Sequence, residues 1–303
     1  MDILQWLEVQ NFRGIKHVRI ENFTNLNIFI GKNNTGKSTI LEGIYLNLLF
    51  EEKRQSIEIY LYFFHDFFNK DPFEVLKNKR KRSFDDYWAY KKNFPIEISS
   101  NLSKLTIPRS FSRTLLDVKN VVLLYPGLCI DPSYPLYVRE HIADFGLEAI
   151  QKIAKALTEK LGLEEELGYI EERKGDIYFV FEKKSVPFEN VGDGLKIAFV
   201  VFAICYYLTD GVILIEEPEA HQHPKSLEFI CDALVYASES NQIFISTHSL
   251  EFLKMILEKA KEKDVSLNVY KLLELKDGIL KHKVYTRDVA YASIKEIGRD
   301  LRL

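Results

Sequence analysis

The sequence predicts an α/β fold: a mainly parallel sheet covered by helices and interrupted by an inserted lobe of mixed helix and strand. Three observations carry this expectation. A short apolar run, LNIFI at Leu26–Ile30, feeds a glycine-containing loop and then a helical pattern. From Val186 onward, short continuous apolar runs alternate with helical segments, as strands covered by crossover helices do. Between these regions, residues 51–185 change character and lose the alternation.

Taken in order, LQWLEVQNF and the residues around HVRIENF alternate in the manner of strands, and LNIFI reads as a fully buried one. GKNNTGKST follows directly, and ILEGIYLNLLF behind it repeats its apolar residues at helical spacing. Within 51–185, IEIYLYFFHDFF is dense in aromatics, KNKRKR is a basic run, PIEISSNLSKLTI looks like edge strand, and NVVLLYPG like strand and turn. REHIADFGLEAIQKIAKALTEKLG has an amphipathic helical pattern, and LGYIEE with DIYFVFEKK forms a hairpin turning at KGD. No sustained heptad runs through this lobe, which argues against a coiled-coil arm. After it come helix LKIAFVVFAICYYL, strand GVILI, helix KSLEFICDALVYASE, strand QIFIS and helix LEFLKMILEKAKEK. Two strands, LNVYKLLEL and ILKHKVY, then join around KDG, and IKEIGRDLR looks like a terminal helix. The expected core is thus discontinuous, residues 1–50 and 186–303, with 51–185 inserted.

Composition narrows the function classes. At 303 residues, with 47% hydrophobic and 28% charged, the chain is globular and long enough for about two domains' worth of core. Its net charge of -3 lacks the basic excess of a protein that coats nucleic acid by charge alone, so any such contact must be local. The three cysteines, Cys129, Cys205 and Cys231, are far apart and form no CxxC, which argues against a disulfide framework or zinc site and for a reducing, cytoplasmic setting. No signal peptide is expected at MDILQWLEVQ, and the longest apolar run, Ile197–Leu208, is too short to span a bilayer, which takes about 20 residues. We read it as a buried core helix and expect no membrane association.

Gly31-Lys32-Asn33-Asn34-Thr35-Gly36-Lys37-Ser38 satisfies G-x-x-x-x-G-K-[ST] without mismatch. Glycines let backbone N–H groups curl around a phosphate, and the helix starting near Lys37 points its positive end at the same anion. Lys37 would reach the β and γ phosphates of ATP, and the Ser38 hydroxyl would bind Mg²⁺. Gly31, Asn33, Asn34, Thr35, Gly36, Lys37, Ser38 and Thr39 are the candidate nucleotide-binding residues. A turn could match by chance, but glycine is 14 of 303 residues, so two at fixed spacing arise in roughly 0.002 of windows before Lys and Ser are required.

GVILI ends in Glu216-Glu217-Pro218-Glu219, which places carboxylates at the carboxyl edge of the sheet, where open α/β folds bind ligands. Glu216 is placed to hold the Mg²⁺ shell and Glu217 to orient or deprotonate an attacking water. An acidic cluster favoured by a helix N-terminus is the alternative reading. Strand QIFIS delivers Ser246-Thr247-His248-Ser249 to the same edge, where His248 can contact the γ-phosphate or the water; alone, such a histidine is more often a capping or packing residue. Gly192-Asp193-Gly194 opens the apolar helix as a further anion cradle, with Asp193 the expected N-terminal cap, although a tight turn explains it equally well.

These four motifs, in this order and with a lobe between the first two, resemble the ABC-type ATPases of the RecF and SMC group, and more closely the ATPase domain of the OLD (overcoming lysogenization defect) family. Val9-Gln10-Asn11-Phe12-Arg13-Gly14 matches the N-x-F/FR opening of that group, and on that match Arg13 joins the nucleotide-binding candidates. EEPEAHQHP at Glu216–Pro224 is similar to the OLD-like EEPEAHLHP, with Gln222 the departure. The resemblance implies a P-loop NTPase with an ABC-ATPase-like mixed sheet, ATP and Mg²⁺ as ligands, and catalysis by Lys37, Glu217 and His248. It also implies that Gly192, Asp193 and Gly194 form a signature loop touching the γ-phosphate of ATP held by a second copy, with Asp193 as an unusual anion there. The segment with His221 and His223 resembles a loop crossing that dimer interface. OLD nucleases carry a Toprim domain after the ATPase, but no D-x-D cluster appears among the 55 residues after His248, so a nuclease would have to be another polypeptide.

Three functions follow from this reading. The first is a dimeric ATPase that clamps two ATP molecules, in a process of DNA repair or anti-phage defence. The second is a nucleotide-gated subunit docked on a nuclease or toxin, motivated by the missing Toprim domain and by the aromatic stretch IEIYLYFFHDFF, which simple core packing explains equally well. A third, direct DNA binding, rests on Lys77-Asn78-Lys79-Arg80-Lys81-Arg82 with Lys91, Lys92 and the aromatics Trp88 and Tyr90 between, although a solvated loop is the commoner meaning of such a run.

Overall fold

The computed structural model describes residues 3–49, 95–107, 121–130, 151, 153–155, 157–158, 167–173, 176–295 and 300–301. The aromatic stretch, the basic run, Trp88 and Tyr90 lie outside them.

Ten strands form one sheet in the order β5-β4-β1-β2-β13-β12-β3-β11-β10-β6. Its parallel half is β12 (Leu267–Lys276), β3 (Leu26–Ile30), β11 (Gln242–Ser246), β10 (Val212–Glu216) and β6 (Val121–Leu124). Its other half is largely antiparallel: β13 (Ile279–Thr286) pairs with β12, β1 (Trp6–Phe12) with β2 (Ile15–Glu21) and β4 (Ile96–Ser100), and β4 with β5 (Lys104–Ile107). The sheet is therefore mixed, as the resemblance implied.

Strands β3, β6, β10 and β11 are buried at every position, because helices or other strands cover both of their faces. Alternation sorts their side chains. Ile28, Ile213, Ile215, Ile243 and Ile245 enter one core with helices α3 (Asp193–Tyr207), α4 (Pro224–Ala237) and α5 (Leu250–Glu262). Phe29, Leu214 and Phe244 enter the other, with Ile40, Leu41, Ile44 and Tyr45 of α1 (Lys37–Leu49) and the buried side of β1 and β2. Helix α3 buries residues around its whole circumference, including Phe199, Val200, Val201 and Ile204, which explains its unbroken apolar sequence. No described helix is long and apolar enough to cross a membrane.

Within the expected inserted lobe, β4, β5 and β6 belong to the main sheet, so the sheet does not stop at residue 50 and resume at 186. The physical reason is edge protection: β4 pairs with β1 and β6 with β10, where those strands would otherwise present open edges. What the described part of the lobe holds beyond the sheet is a one-turn helix α2 (Pro126–Cys129), helical residues between 151 and 158, and a separate three-stranded sheet. That sheet is β7 (Leu167–Arg173), β8 (Asp176–Phe181) and β9 (Ser185–Pro187), and its Phe179 stacks edge-on against Phe199 of α3 at 5.3 Å. The last described helix is α6 (Arg287–Lys295), which shares only Ile294 and Lys295 with the terminal helix expected at IKEIGRDLR; residues 296–299, 302 and 303 lie outside the described residues, and Asp300 and Leu301 are not helical. All three cysteines are buried, separate thiols, and burial pushes Cys129 and Cys205 up to about 12.

One buried side chain pins the N-terminal strands to the parallel half. The Gln242 amide accepts from the Leu4 N–H at 2.8 Å and donates to the carbonyls of Leu4 at 2.8 Å and Thr24 at 3.0 Å. Gln242→Leu takes this partner from the buried N–H and carbonyl of Leu4, while Thr24 O keeps its bond from Asn27 Nδ2, and we expect a loss of about 2–4 kcal/mol. The check is urea denaturation: the midpoint should fall with the slope unchanged.

Candidate functional site

Strands β3, β11 and β10 lie side by side and parallel, so their carboxyl ends open at one edge of the sheet. Two backbone bonds continue the pairing past the strands: Thr247 N–H donates to Phe29 O at 3.1 Å, and Glu217 N–H to Ser246 O at 2.8 Å. The phosphate loop, the acidic strand end and the histidine segment are thereby brought together, as the sequence reading expected.

The loop after β3 is shaped by its glycines. Gly31 has φ +149°, and a Cβ there would lie 2.5 Å from Leu272 O on β12 and 2.9 Å from Thr35 Oγ1. Gly36 has φ +92°, and Asn34 also adopts the left-handed region at φ 63°. Thr35 Oγ1 donates to Lys32 O at 2.9 Å, tightening the curl. The Lys37 ammonium folds back and donates to the carbonyls of Gly31 and Lys32, both at 2.9 Å. Burial lowers its pKa to about 8, opposed by the charges of Glu217, Glu216 and Glu219. A cation that is desolvated, and faced by carboxylates instead of bulk water, has much to gain from an anion placed in the loop. Ser38 and Thr39 follow on the first turn of α1.

Glu216, the last residue of β10, is buried beside Ser246 of β11. Glu217 leaves the strand at φ 48°, a left-handed conformation costing a non-glycine residue about 1 kcal/mol. That turn throws its side chain outward, half exposed, with Oε1 3.4 Å from His248 Nε2. Sequence reasoning placed these two residues at one edge; the structure makes them neighbours.

One expected role is corrected, and the other candidates are placed. Asp193 is not the cap of α3: Gly192 holds that position, and no side chain makes a capping bond. Asp193 is instead the first helical residue, with Oδ1 3.4 Å from Lys196 Nζ, so its anion is accompanied by a lysine. Gly194 is where the 192–194 segment meets the chain after β10: a Cβ on it would lie 2.6 Å from His221 O, and its carbonyl accepts from Gln222 Nε2 at 3.1 Å. Gln222, the departure from the OLD-like pattern, therefore ties the two segments together. His223 caps α4, accepting from Lys225 N–H at 3.4 Å with Pro224 next in the helix. Arg13, at φ 53° between β1 and β2, bonds the buried Glu42 of α1.

Sequence reasoning assigned no task to Glu219. Its Oε1 accepts from Thr247 Oγ1 at 2.7 Å, from His248 N–H at 2.9 Å and from Ser249 N–H at 3.1 Å. The only signal was its presence in the EEPE quartet; its partners lie 28 to 30 residues away.

A phosphate loop, an acidic strand end and a histidine at one edge of a mixed sheet define an ABC-type ATPase of the RecF, SMC and OLD group. The AAA ATPase domain family matches residues 3–122 and 137–253, well over half of the chain, and the chain belongs to that family. It is similar to the Septu protein PtuA of Bacillus mycoides, 24% identical over 81% of this chain and 38% of that one. An uncharacterised Methanocaldococcus jannaschii protein is 35% identical over 25% of this chain and 68% of its own length. The replication and repair protein RecF of Lactobacillus acidophilus is 47% identical over 18% of this chain and 14% of its own. Among solved structures, an SMC head bound to the winged-helix domain of ScpA overlays with TM-score 0.57 at 14% identity, covering 94% of this chain and 98% of that chain. A Pyrococcus furiosus SMC head overlays with TM-score 0.51 at 13% identity, covering 99% and 100%. The fold is thus that of an SMC-type ATPase head, and the protein binds and hydrolyses ATP.

Gly31→Ala drives a methyl group into the Leu272 carbonyl, whereas at Gly43 of α1 the nearest side-chain atom to a Cβ is at an ordinary 3.5 Å. We expect Gly31→Ala to weaken binding of a fluorescent ATP analogue at least tenfold and Gly43→Ala to leave it within twofold.

Proposed function

We propose that ATP is hydrolysed at this edge by Glu217, Lys37 and His248, between two copies of the chain, and that the cycle serves DNA repair or anti-phage defence. The observation that supports it best is the 3.4 Å approach of His248 to Glu217 beside the buried Lys37. In this reading the backbone of Gly31, Asn33, Asn34, Thr35 and Gly36 cradles the phosphates, with Thr39 supporting the loop from α1 and Arg13 from the β1–β2 turn. Lys37 exchanges its two carbonyl partners for phosphate oxygens, which stabilises charge developing on the γ-phosphoryl group. Glu217, turned outward by its φ, orients the water and takes its proton, while His248 shares that carboxylate and meets the γ-phosphate.

Mg²⁺ would be held by the Ser38 hydroxyl and Glu216, where it would offset phosphate charge. The donor set fits that ion: one hydroxyl and one buried carboxylate, completed by phosphate oxygens and water. Among the described residues no cluster of three or more His, Cys, Asp or Glu could hold a metal alone.

Gly192, Asp193 and Gly194 would complete the partner copy's site. The Asp193–Lys196 pair bears on the anion problem, because Lys196 offsets the Asp193 charge next to an incoming γ-phosphate. Contact with a separate nuclease or toxin, or with DNA, is a second possibility for how the cycle is used. An SMC head of the same fold was solved with ScpA bound, which favours a protein partner.

Size-exclusion chromatography with ATP tests the central part. Glu217→Gln should lower turnover at least ~100-fold while keeping nucleotide, and should accumulate as a dimer. In the parent, activity per chain should rise with protein concentration. A Glu217→Gln variant hydrolysing at the parent rate assigns the chemistry to another carboxylate, and flat activity per chain removes the dimer.

A further inference from the structure

We propose that Glu219 is a positioning residue for hydrolysis: it sets His248 against Glu217 by clamping the segment after β11 to the loop after β10. The inference rests on the roles proposed for Glu217 and His248 and adds what holds them in register.

One carboxylate oxygen, Oε1, takes three donors, the Thr247 hydroxyl at 2.7 Å and the N–H groups of His248 at 2.9 Å and Ser249 at 3.1 Å. Bonds to a carboxylate are shorter and stronger than neutral ones, and three converging on one atom leave the 247–249 backbone little freedom. Thr247 is doubly engaged, since its Oγ1 also accepts from Ser249 N–H at 2.9 Å. Beyond the clamp, Ser249 caps α5 by accepting from Phe252 N–H at 3.1 Å, so the helix begins from the same fixed point.

On the other side, Glu219 shares a tight loop with Glu217. Ala220 N–H donates to Glu217 O at 2.9 Å and Gln222 N–H to Glu219 O at 3.2 Å, closing two successive turns. Glu217 and the acceptor of the clamp therefore move as one piece. The clamp passes this position to His248 through its own N–H, which fixes where the imidazole starts. The resulting Nε2–Oε1 separation is 3.4 Å between side chains that are 36% and 50% exposed, while the acceptor end of the clamp is held on the inner side of the loop. Glu219 Oε2 is itself buried with no hydrogen-bond partner, so the second oxygen adds nothing to the clamp. An amide, which keeps one acceptor oxygen, should therefore replace the carboxylate in this role.

The test compares kcat and KM for ATP, melting temperature and nucleotide affinity in the full chain for Glu219→Ala, Glu219→Gln, Thr247→Val, His248→Ala and the Glu219→Ala/His248→Ala double variant. Expected are a fall of about tenfold or more in kcat for Glu219→Ala with KM within about twofold, and recovery to within about fivefold of the parent in Glu219→Gln. The double variant should be no more than about twofold slower than His248→Ala, because the clamp acts through that histidine. Glu219→Ala at the parent kcat, Glu219→Gln as slow as Glu219→Ala, or losses that multiply in the double variant would each overturn the proposal. Should Glu219→Ala not fold, Thr247→Val and the Thr247→Val/His248→Ala double variant decide: a severalfold fall in kcat at constant KM that is absent in the His248→Ala background supports the clamp, and an unchanged kcat in Thr247→Val, or a loss that persists in the double variant, overturns it. If His248→Ala and Glu217→Gln both turn over at the parent rate, the assignment of the site fails and takes the clamp with it. If both are slow while Glu219→Ala is not, only the clamp fails.

Discussion

The parallel register of β3, β11 and β10 is the constraint from which the rest of this molecule follows. Phe29 pairs with Ser246 and Ser246 with Glu216, so three strands stop at nearly the same height. Along their length these strands are buried on both faces, mostly among apolar side chains, and the polar Asn27 and Gln242 are spent on internal hydrogen bonds. Polar groups can emerge only where the pairing ends, and there they must emerge together. A lysine, an outward glutamate and a histidine from three distant parts of the chain thus come to share one edge without any of them being near the others in sequence.

Such an edge is electrostatically costly, and the structure shows how the cost is contained. Lys37 loses solvent, and its pKa drops to about 8 in spite of three carboxylates nearby. Two loop carbonyls satisfy it in place of water. Glu217 is set in a strained left-handed turn, and strain of about 1 kcal/mol is small against a domain's stability yet decides where the carboxylate points. Glu219, by contrast, is used inward, as an acceptor for the segment that carries His248. Two glutamates separated by one proline therefore have opposite tasks, because one faces solvent and the other faces the N–H groups of His248 and Ser249.

How much of this was legible depended on the range of each signal. The phosphate loop could be read because its requirements are local: glycines, a lysine and a hydroxyl at fixed spacing, between strand and helix. Buried strands announced themselves by continuous apolar runs, and helix α3 by an apolar sequence that only burial on all sides tolerates. The limits of the lobe were not legible, since whether β4 and β6 belong to it depends on pairing with β1 and β10, strands far away in sequence. Asp193 looked like a cap from its residue type, but Gly192 took the extended conformation that defines the cap, a matter of one residue that composition does not resolve. The work of Glu219 and Gln222 stayed hidden for the same reason, because the contacts that tie the segments together are made to Thr247–Ser249 after β11 and to Gly194 of α3, 28 to 30 residues away.

The account stands on Glu217 and His248 acting as one unit at this edge. Single-turnover hydrolysis of ATP by Glu217→Gln, His248→Ala and the variant carrying both measures that directly. The account predicts that the double variant is slowed by clearly less than the product of the two single losses, because each change removes the contact that the two side chains share. Losses that multiply, with each substitution acting in full regardless of the other, would contradict it.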